Sequence, residues 1–214
     1  SAEMHAIVAE FGFDTQFDNA IEKAAAQLSK TIHKDEVSKR EDYRSISTFT
    51  IDPADAKDFD DALSFQKLNN GNTEIGVHIA DVSHYVNPTD VIDKEAIKRA
   101  TSVYLVDRTI PMLPEVLSNN ICSLRPQEES LCFSVIFEFD SDANVIDYRF
   151  AKTVIYSNHR FSYKDAQEVI DSEKGLYAEE LKIMNLIASK LRKKKFENGA
   201  INFETTEFRF TLDK

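Results

Sequence analysis

Thr48-Phe49-Thr50-Ile51-Asp52-Pro53-Ala54-Asp55-Ala56-Lys57-Asp58-Phe59-Asp60-Asp61-Ala62-Leu63 is the stretch on which the reading of this chain turns. Its first four residues are β-branched or aromatic, a strand pattern. Pro53 ends that strand, because proline has no N–H to give to a central ladder. A second strand runs from Ala62 to Leu68. Asn69-Asn70-Gly71-Asn72 supplies turn chemistry before a third strand over Thr73–Val82, so these two strands form a hairpin. Hairpin strands with helices set apart from them predict an α+β fold. The sheet should be mixed and largely antiparallel with packed helices, not doubly wound and parallel.

Outward from that centre the pattern holds. Helices are predicted over residues 18–29, with Asp18 as N-cap, and over Asp90–Ser102, Tyr163–Ile170 and Leu176–Phe196. Residues 103–114 read as extended. Leu131–Phe139 and Val145–Tyr156 are strong strands around the turn Asp140–Asn144, and Ile201–Leu212 predicts one or two more. Residues 1–47 read as a linker or arm carrying one helix, charged and aperiodic over 30–47, and residues 48–214 as the domain proper.

The segment between the first two strands holds five carboxylates in ten residues, Asp52, Asp55, Asp58, Asp60 and Asp61. Like charges this close raise one another's pKa, and a bound cation relieves them. A hard divalent ion such as Mg²⁺ takes oxygen ligands of this kind and works with them on phosphate esters. On a regular strand Asp58 and Asp60 share a face while Asp60 and Asp61 do not, so an irregular loop is needed to turn several of them into one cavity. A solvated acidic turn is the plain alternative, since Asp is common in loops. The EF-hand pattern fails, because the alternate positions after Asp52 lack its oxygen ligands and its glycine.

Bulk composition narrows the classes. The chain has 214 residues, 42% hydrophobic and 29% charged, which fits a globular protein with a real core. No apolar run approaches the roughly 18–20 residues of a membrane helix, and no signal peptide is visible. Cys122 and Cys132 match no metal pattern, which predicts free thiols and a cytoplasmic setting. A net charge of −11 argues against gripping nucleic acid by bulk electrostatics. Metal ions in the acidic loop, or basic modules elsewhere in a longer protein, would answer that objection.

The wording of the chain resembles the ribonuclease II / ribonuclease R family in its catalytic RNB domain, with the bacterial ribonuclease R branch nearest. The blocks are Thr50–Leu63, His78–Val86, Arg99–Leu105, Ile110–Pro114, Leu117-Ser118, Cys122–Pro126, Ser157–Tyr163 and Gly199–Phe203, in order over roughly residues 40–212. The resemblance implies a Mg²⁺-dependent 3′→5′ exoribonuclease, with Mn²⁺ a possible substitute, that releases nucleoside 5′-monophosphates from single-stranded RNA. By motif it makes Asp52, Asp58, Asp60 and Asp61 the catalytic and metal-binding carboxylates, with Asp55 outside the ligand set. It places Tyr104, and with less support Tyr163, against nucleotides, where base stacking contributes about 1–3 kcal/mol per base without reading sequence. It also implies a C-terminal continuation bearing an arginine and further acids, and flanking OB-fold RNA-binding domains. The chain is therefore expected to be a fragment with little or no activity alone.

Other motifs carry less. His78, Asp81 and His84 suggest zinc by residue type, but His78 and Asp81 would face opposite sides of a strand, so structural roles are expected. Arg125 either meets phosphate or pairs with an acid. Arg192-Lys193-Lys194-Lys195 suits a solvated helix end. A non-catalytic RNA- or protein-binding module on the same fold is the second reading. A dehalogenase-type phosphatase is disfavoured, because Asp58-Phe59-Asp60-Asp61-Ala62 lacks the Thr or Val of that motif.

Overall fold

The computed structural model describes residues 2–106 and 108–202. The described residues form two compact units, one drawn from residues 2–31 and 82–122, the other from residues 32–81 and 123–202.

The second unit is built on a seven-stranded sheet. Its strands are β1 (Glu41–Tyr43), β2 (Ser47–Asp52), β3 (Asp61–Lys67), β4 (Thr73–Ala80), β7 (Glu129–Phe139), β8 (Val145–Tyr156) and β9 (His159–Ser162), in the order β1-β8-β7-β4-β3-β2-β9. The inner ladders are antiparallel, and the two edge strands run parallel to their neighbours, β1 to β8 and β9 to β2. Helices α3 (Lys34–Val37), α6 (Tyr163–Ser172) and α7 (Ala178–Glu197) complete the unit. The fold is therefore α+β with a mixed, mostly antiparallel sheet, as the hairpin pattern predicts.

Alternation along the strands gives the sheet two different faces. One carries Phe49, Phe65, Ile75, Phe139 and Phe161, which bury against Ala166 of α6 and Leu181, Met184 and Ile187 of α7. Each large side chain so buried is worth about 1.5–3 kcal/mol. The other face is polar inside: Ser64, His78, Ser134 and Thr153, from four adjacent strands, are all buried. The His78 ring bridges the Ser134 hydroxyl at 2.7 Å and the Ser64 hydroxyl at 2.8 Å, and Ser134 meets Thr153 at 2.7 Å. α6 starts on a capping box, in which the Ser162 hydroxyl accepts from the Asp165 N–H and the Asp165 carboxylate accepts from the Ser162 N–H. Such caps contribute about 0.5–2 kcal/mol.

The first unit contains α1 (Ala2–Glu10), α2 (Asn19–Ala26), α4 (Val82–Tyr85), α5 (Val91–Arg99), the ribbon of β5 (Val103–Tyr104) and β6 (Thr109–Ile110), and a π-helical turn over Leu117–Ile121. Asp90 caps α5 by accepting from the Asp93 N–H. Arg99, on the last turn of α5, holds the carbonyls of Asp14 and Gln16 and lies 3.8 Å from the Phe17 ring centroid.

The structure departs from the sequence reading in three places. Residues 30–47, expected as linker or arm, instead give α3 and the edge strand β1. Their anchor is ionic: buried Arg40 pairs with buried Asp81 at 2.8 Å and donates to the Cys132 carbonyl, so no apolar period marks the segment. The predicted helix over 18–29 stops at Ala26, and α1, α4, the π-helical turn and β9 had no reading as elements. The strand expected through Val82 ends at Ala80, where α4 takes over two residues later. The strands expected over Ile201–Leu212 lie almost wholly outside the described residues. Cys122 and Cys132 are both buried and not disulfide-bonded. Among the described residues no helix is long and apolar enough to cross a membrane.

Candidate active site

The acidic loop joins the end of β2 to the start of β3, and backbone bonds fix its course. Ala56 N–H closes a turn onto the Pro53 carbonyl. The buried Ser123 hydroxyl accepts from the Phe59 N–H at 3.1 Å and donates to the Lys57 carbonyl at 3.3 Å. Leu124 N–H then reaches the Phe59 carbonyl at 2.7 Å, and Ala80 N–H the Asp60 carbonyl at 3.0 Å. Arg160 grips the first limb, its Nη2 donating to the carbonyls of Pro53 at 2.5 Å and Ala54 at 3.1 Å, while its guanidinium lies 5.3 Å from the Phe59 ring centroid.

Asp52 closes β2 and is 6% exposed, with one carboxylate oxygen, Oδ2, lacking a hydrogen-bond partner. Burial pushes its pKa up; Thr50 and the Arg160 guanidinium pull it down, and Asp61 and Asp60 push it further up. The Thr50 hydroxyl faces this carboxyl without completing a regular hydrogen bond. Asp61 opens β3. Its residue surface is exposed, yet protein atoms crowd the carboxyl enough for desolvation, then Asp60, to raise its pKa. Asp60 is exposed beside it. Asp52, Asp60 and Asp61 therefore feel one another's charge. Asp58 is half-buried on the same loop and is not among the leading charges on Asp52 or Asp61. Asp55 is exposed at the turn.

The donor chemistry fits a hard divalent cation. Every candidate ligand is a carboxylate, and one buried oxygen is unsatisfied. Among the described residues no three Asp, Glu, His or Cys side chains converge tightly enough to enclose an ion by themselves. Magnesium commonly takes one or two carboxylates and completes its shell with water and substrate phosphate, so an open, partly formed ligand set is compatible with it.

The remaining sequence candidates resolve individually. Tyr163 is the first residue of α6 and 62% exposed; the preceding Ser162 sits in register with Asp52 across the β2–β9 ladder. Tyr104 belongs to the other unit, on β5, and is 67% exposed. His78 is committed to Ser64 and Ser134, and Asp81 to Arg40 and Lys152, which leaves no zinc set at that motif. Arg125 lies 3.9 Å from Glu128, an exposed pair of small energetic weight. Two residues that shape the site, Ser123 and Arg160, had no role in the sequence reading. Both act on backbone groups more than sixty positions away, which leaves no local spacing to detect.

The family model for the RNB domain matches residues 40–214. The chain is similar to ribonuclease R 1 of Lactococcus lactis, 38% identical over 97% of this chain and 26% of that protein. It is similar also to DIS3-like exonuclease 2 of Schizosaccharomyces pombe, 44% identical over 86% of this chain and 22% of that one. Among solved structures, Mycoplasma genitalium RNase R in complex with ribose-methylated single-stranded RNA superposes with a TM-score of 0.88 at 28% identity, covering 99% of this chain and 34% of that one. The chain thus spans about a quarter of the length of the curated relatives it matches.

Proposed function

The chain belongs to the RNB domain family, and from that premise we propose that it supplies the acidic half of the active site of a Mg²⁺-dependent exoribonuclease. The enzyme would degrade single-stranded RNA from its 3′ end to nucleoside 5′-monophosphates. One observation carries the proposal: the buried Asp52 carboxyl, with an unmatched oxygen, coupled by charge to Asp60 and Asp61.

Asp52, Asp58, Asp60 and Asp61 are the residues that would hold the ion. When bound, Mg²⁺ supplies an acidified water and charge stabilisation at the departing 3′ oxygen. The protein's part is to keep the carboxylates in place, which the bonds from Ser123, Leu124 and Ala80 to the loop accomplish. The exposed rings of Tyr163 and Tyr104 are the candidate stacking surfaces for bases, a contact tolerant of sequence. Cytoplasmic location and flanking OB-fold domains belong to the same proposal for the parent protein.

Two measurements test it. Calorimetry of the chain with Mn²⁺ should show saturable binding that Asp52→Asn abolishes. The parent protein should release nucleoside monophosphates from single-stranded RNA only with a divalent ion, and Asp60→Asn should suppress that release by more than a hundredfold, the scale on which charge-stabilising groups act. This chain alone should turn over weakly or not at all. A non-catalytic binding module would show neither ion occupancy nor ion-dependent release, and that pair of results would overturn the proposal.

A further inference from the structure

We infer that Arg160 is a positioning residue for the acidic site: by clamping the carbonyls of Pro53 and Ala54 and covering Phe59, it holds both limbs of the loop so that Asp52 and the Asp60-Asp61 pair share one ion. The inference rests on the proposed metal-dependent activity and goes beyond it, because Arg160 touches neither ion nor substrate in this role.

The geometry is specific. β9 lies parallel to β2, with Thr50 in register with Arg160 and Asp52 with Ser162. That ladder fixes where the Arg160 stem begins. Its Nη2 then binds the two carbonyls immediately after Asp52, at 2.5 and 3.1 Å. The same guanidinium reaches the ring of Phe59, the residue just before Asp60 and Asp61. One side chain therefore ties the loop's entrance to its exit. The exit is separately pinned through the Phe59 backbone by Ser123 and Leu124, and Arg160 adds a tie from the entrance limb to that exit. Arginine suits the task because its planar guanidinium can donate from its edge while a face lies against an aromatic ring. Its Nε is buried and has no hydrogen-bond partner.

The sign of the effect separates positioning from charge. Arg160 is a cation beside Asp52. Coulomb's law alone says that deleting it leaves a more negative pocket and tighter cation binding. A lost clamp predicts the reverse. We expect Arg160→Ala to weaken Mn²⁺ binding about tenfold, the lower end of what partners behind metal ligands typically contribute. Amide hydrogen exchange should quicken over residues 54–59 and stay unchanged in β4 and β7. Arg160→Lys keeps the charge and a donor but loses the planar face, and should recover part of the affinity. Arg192→Ala, which removes one positive charge from the exposed side of α7, should leave the affinity unchanged.

The same calorimetry separates the possible failures. If the unaltered chain binds no Mn²⁺, the proposed function falls and this inference with it. If the unaltered chain binds and Arg160→Ala binds equally or more tightly, the positioning role alone is overturned. It is likewise overturned if exchange rises throughout the sheet, because Arg160 would then support the fold in general. If Arg160→Ala does not fold, Arg160→Lys decides: wild-type affinity and wild-type exchange over residues 54–59 would overturn the clamp.

Discussion

Asp52 is a carboxyl that folding places where water barely reaches it, with Oδ2 unmatched and two acids close enough to raise its pKa. Such a group opposes the fold that contains it. The sign follows directly. The folded state holds the Asp52 proton more tightly than the unfolded state, so the fold loses stability as pH rises past the carboxylate range. Removing the charge should reverse that loss. Asp52→Asn is expected to melt about 2–4 °C higher than the unaltered chain in the presence of a chelator, the shift that roughly 1 kcal/mol gives in a domain of this size. The same variant should lose most of the stabilisation that Mn²⁺ gives the unaltered chain. Thermal melts with and without Mn²⁺ read both effects, and a variant less stable in chelator would refute the first. The aspartates were legible in the sequence because five acids in ten residues violate ordinary charge spacing. Arg160 and Ser123 were not legible, because what they recognise is backbone, and backbone carbonyls look alike at every position.

Among the elements, β4 is the most constrained. Its inner face presents Gly76 and His78 two residues apart, and the space over Gly76 is taken by the Ser64 hydroxyl and the His78 ring. A methyl group at position 76 would fall inside contact distance of both. The ring is held at both nitrogens and is fully buried, so it has little room to yield. Gly76→Ala should therefore destabilise the sheet by about 1–3 kcal/mol, as overpacking usually does. Urea unfolding should show a lower midpoint with an unchanged slope, and an unchanged midpoint would mean the network relaxes freely. Local pattern carried most of this architecture: alternation marked β3 and β4 around Asn69–Asn72, β7 and β8 around Asp140–Asn144, and helical spacing marked α6 and α7. It failed for β9, whose pairing with β2 joins Thr50 to Arg160 across more than a hundred residues. It failed too for β1, three residues long and anchored next to a buried Arg40–Asp81 pair, where charge stands in for the apolar signal.

At the scale of the whole sheet, the buried polar seam from β3 through β8 makes stability depend on pH with one dominant sign. His78 sits at its centre, and burial depresses its pKa to about 4 from an ordinary value near 6.5. Its neighbours are the hydroxyls of Ser64, Ser134 and Thr153 and the edge of the Tyr43 ring, so no carboxylate in direct contact favours the imidazolium. The unfolded chain takes up this proton below about pH 6.5, while the folded chain resists until about pH 4. Between those values the unfolded state binds more protons, so stability falls as the pH falls and is whole again above the unfolded value. The loss contributed by His78 approaches about 3 kcal/mol at the lower end, from about 1.4 kcal/mol per pKa unit. Asp52 and Asp61 act in the opposite direction, because their raised pKa values let the folded state gain on protonation. Asp140 and Asp165, held below the usual range by hydrogen bonds to Asn144 and Ser162, lose their contribution only at more acidic pH. Between pH 7 and 5 the His78 loss is therefore opposed by whatever Asp52 and Asp61 regain on protonation, and replacing His78 separates the two. Urea unfolding followed by far-UV circular dichroism, repeated across that range, should give a fall in stability of at most about 2 kcal/mol, the His78 contribution alone. His78→Gln keeps a donor and an acceptor but cannot take up the proton. It should start less stable at pH 7 and show a flat or rising profile down to pH 5, whereas a decline parallel to that of the unaltered chain would assign the acid sensitivity to other groups.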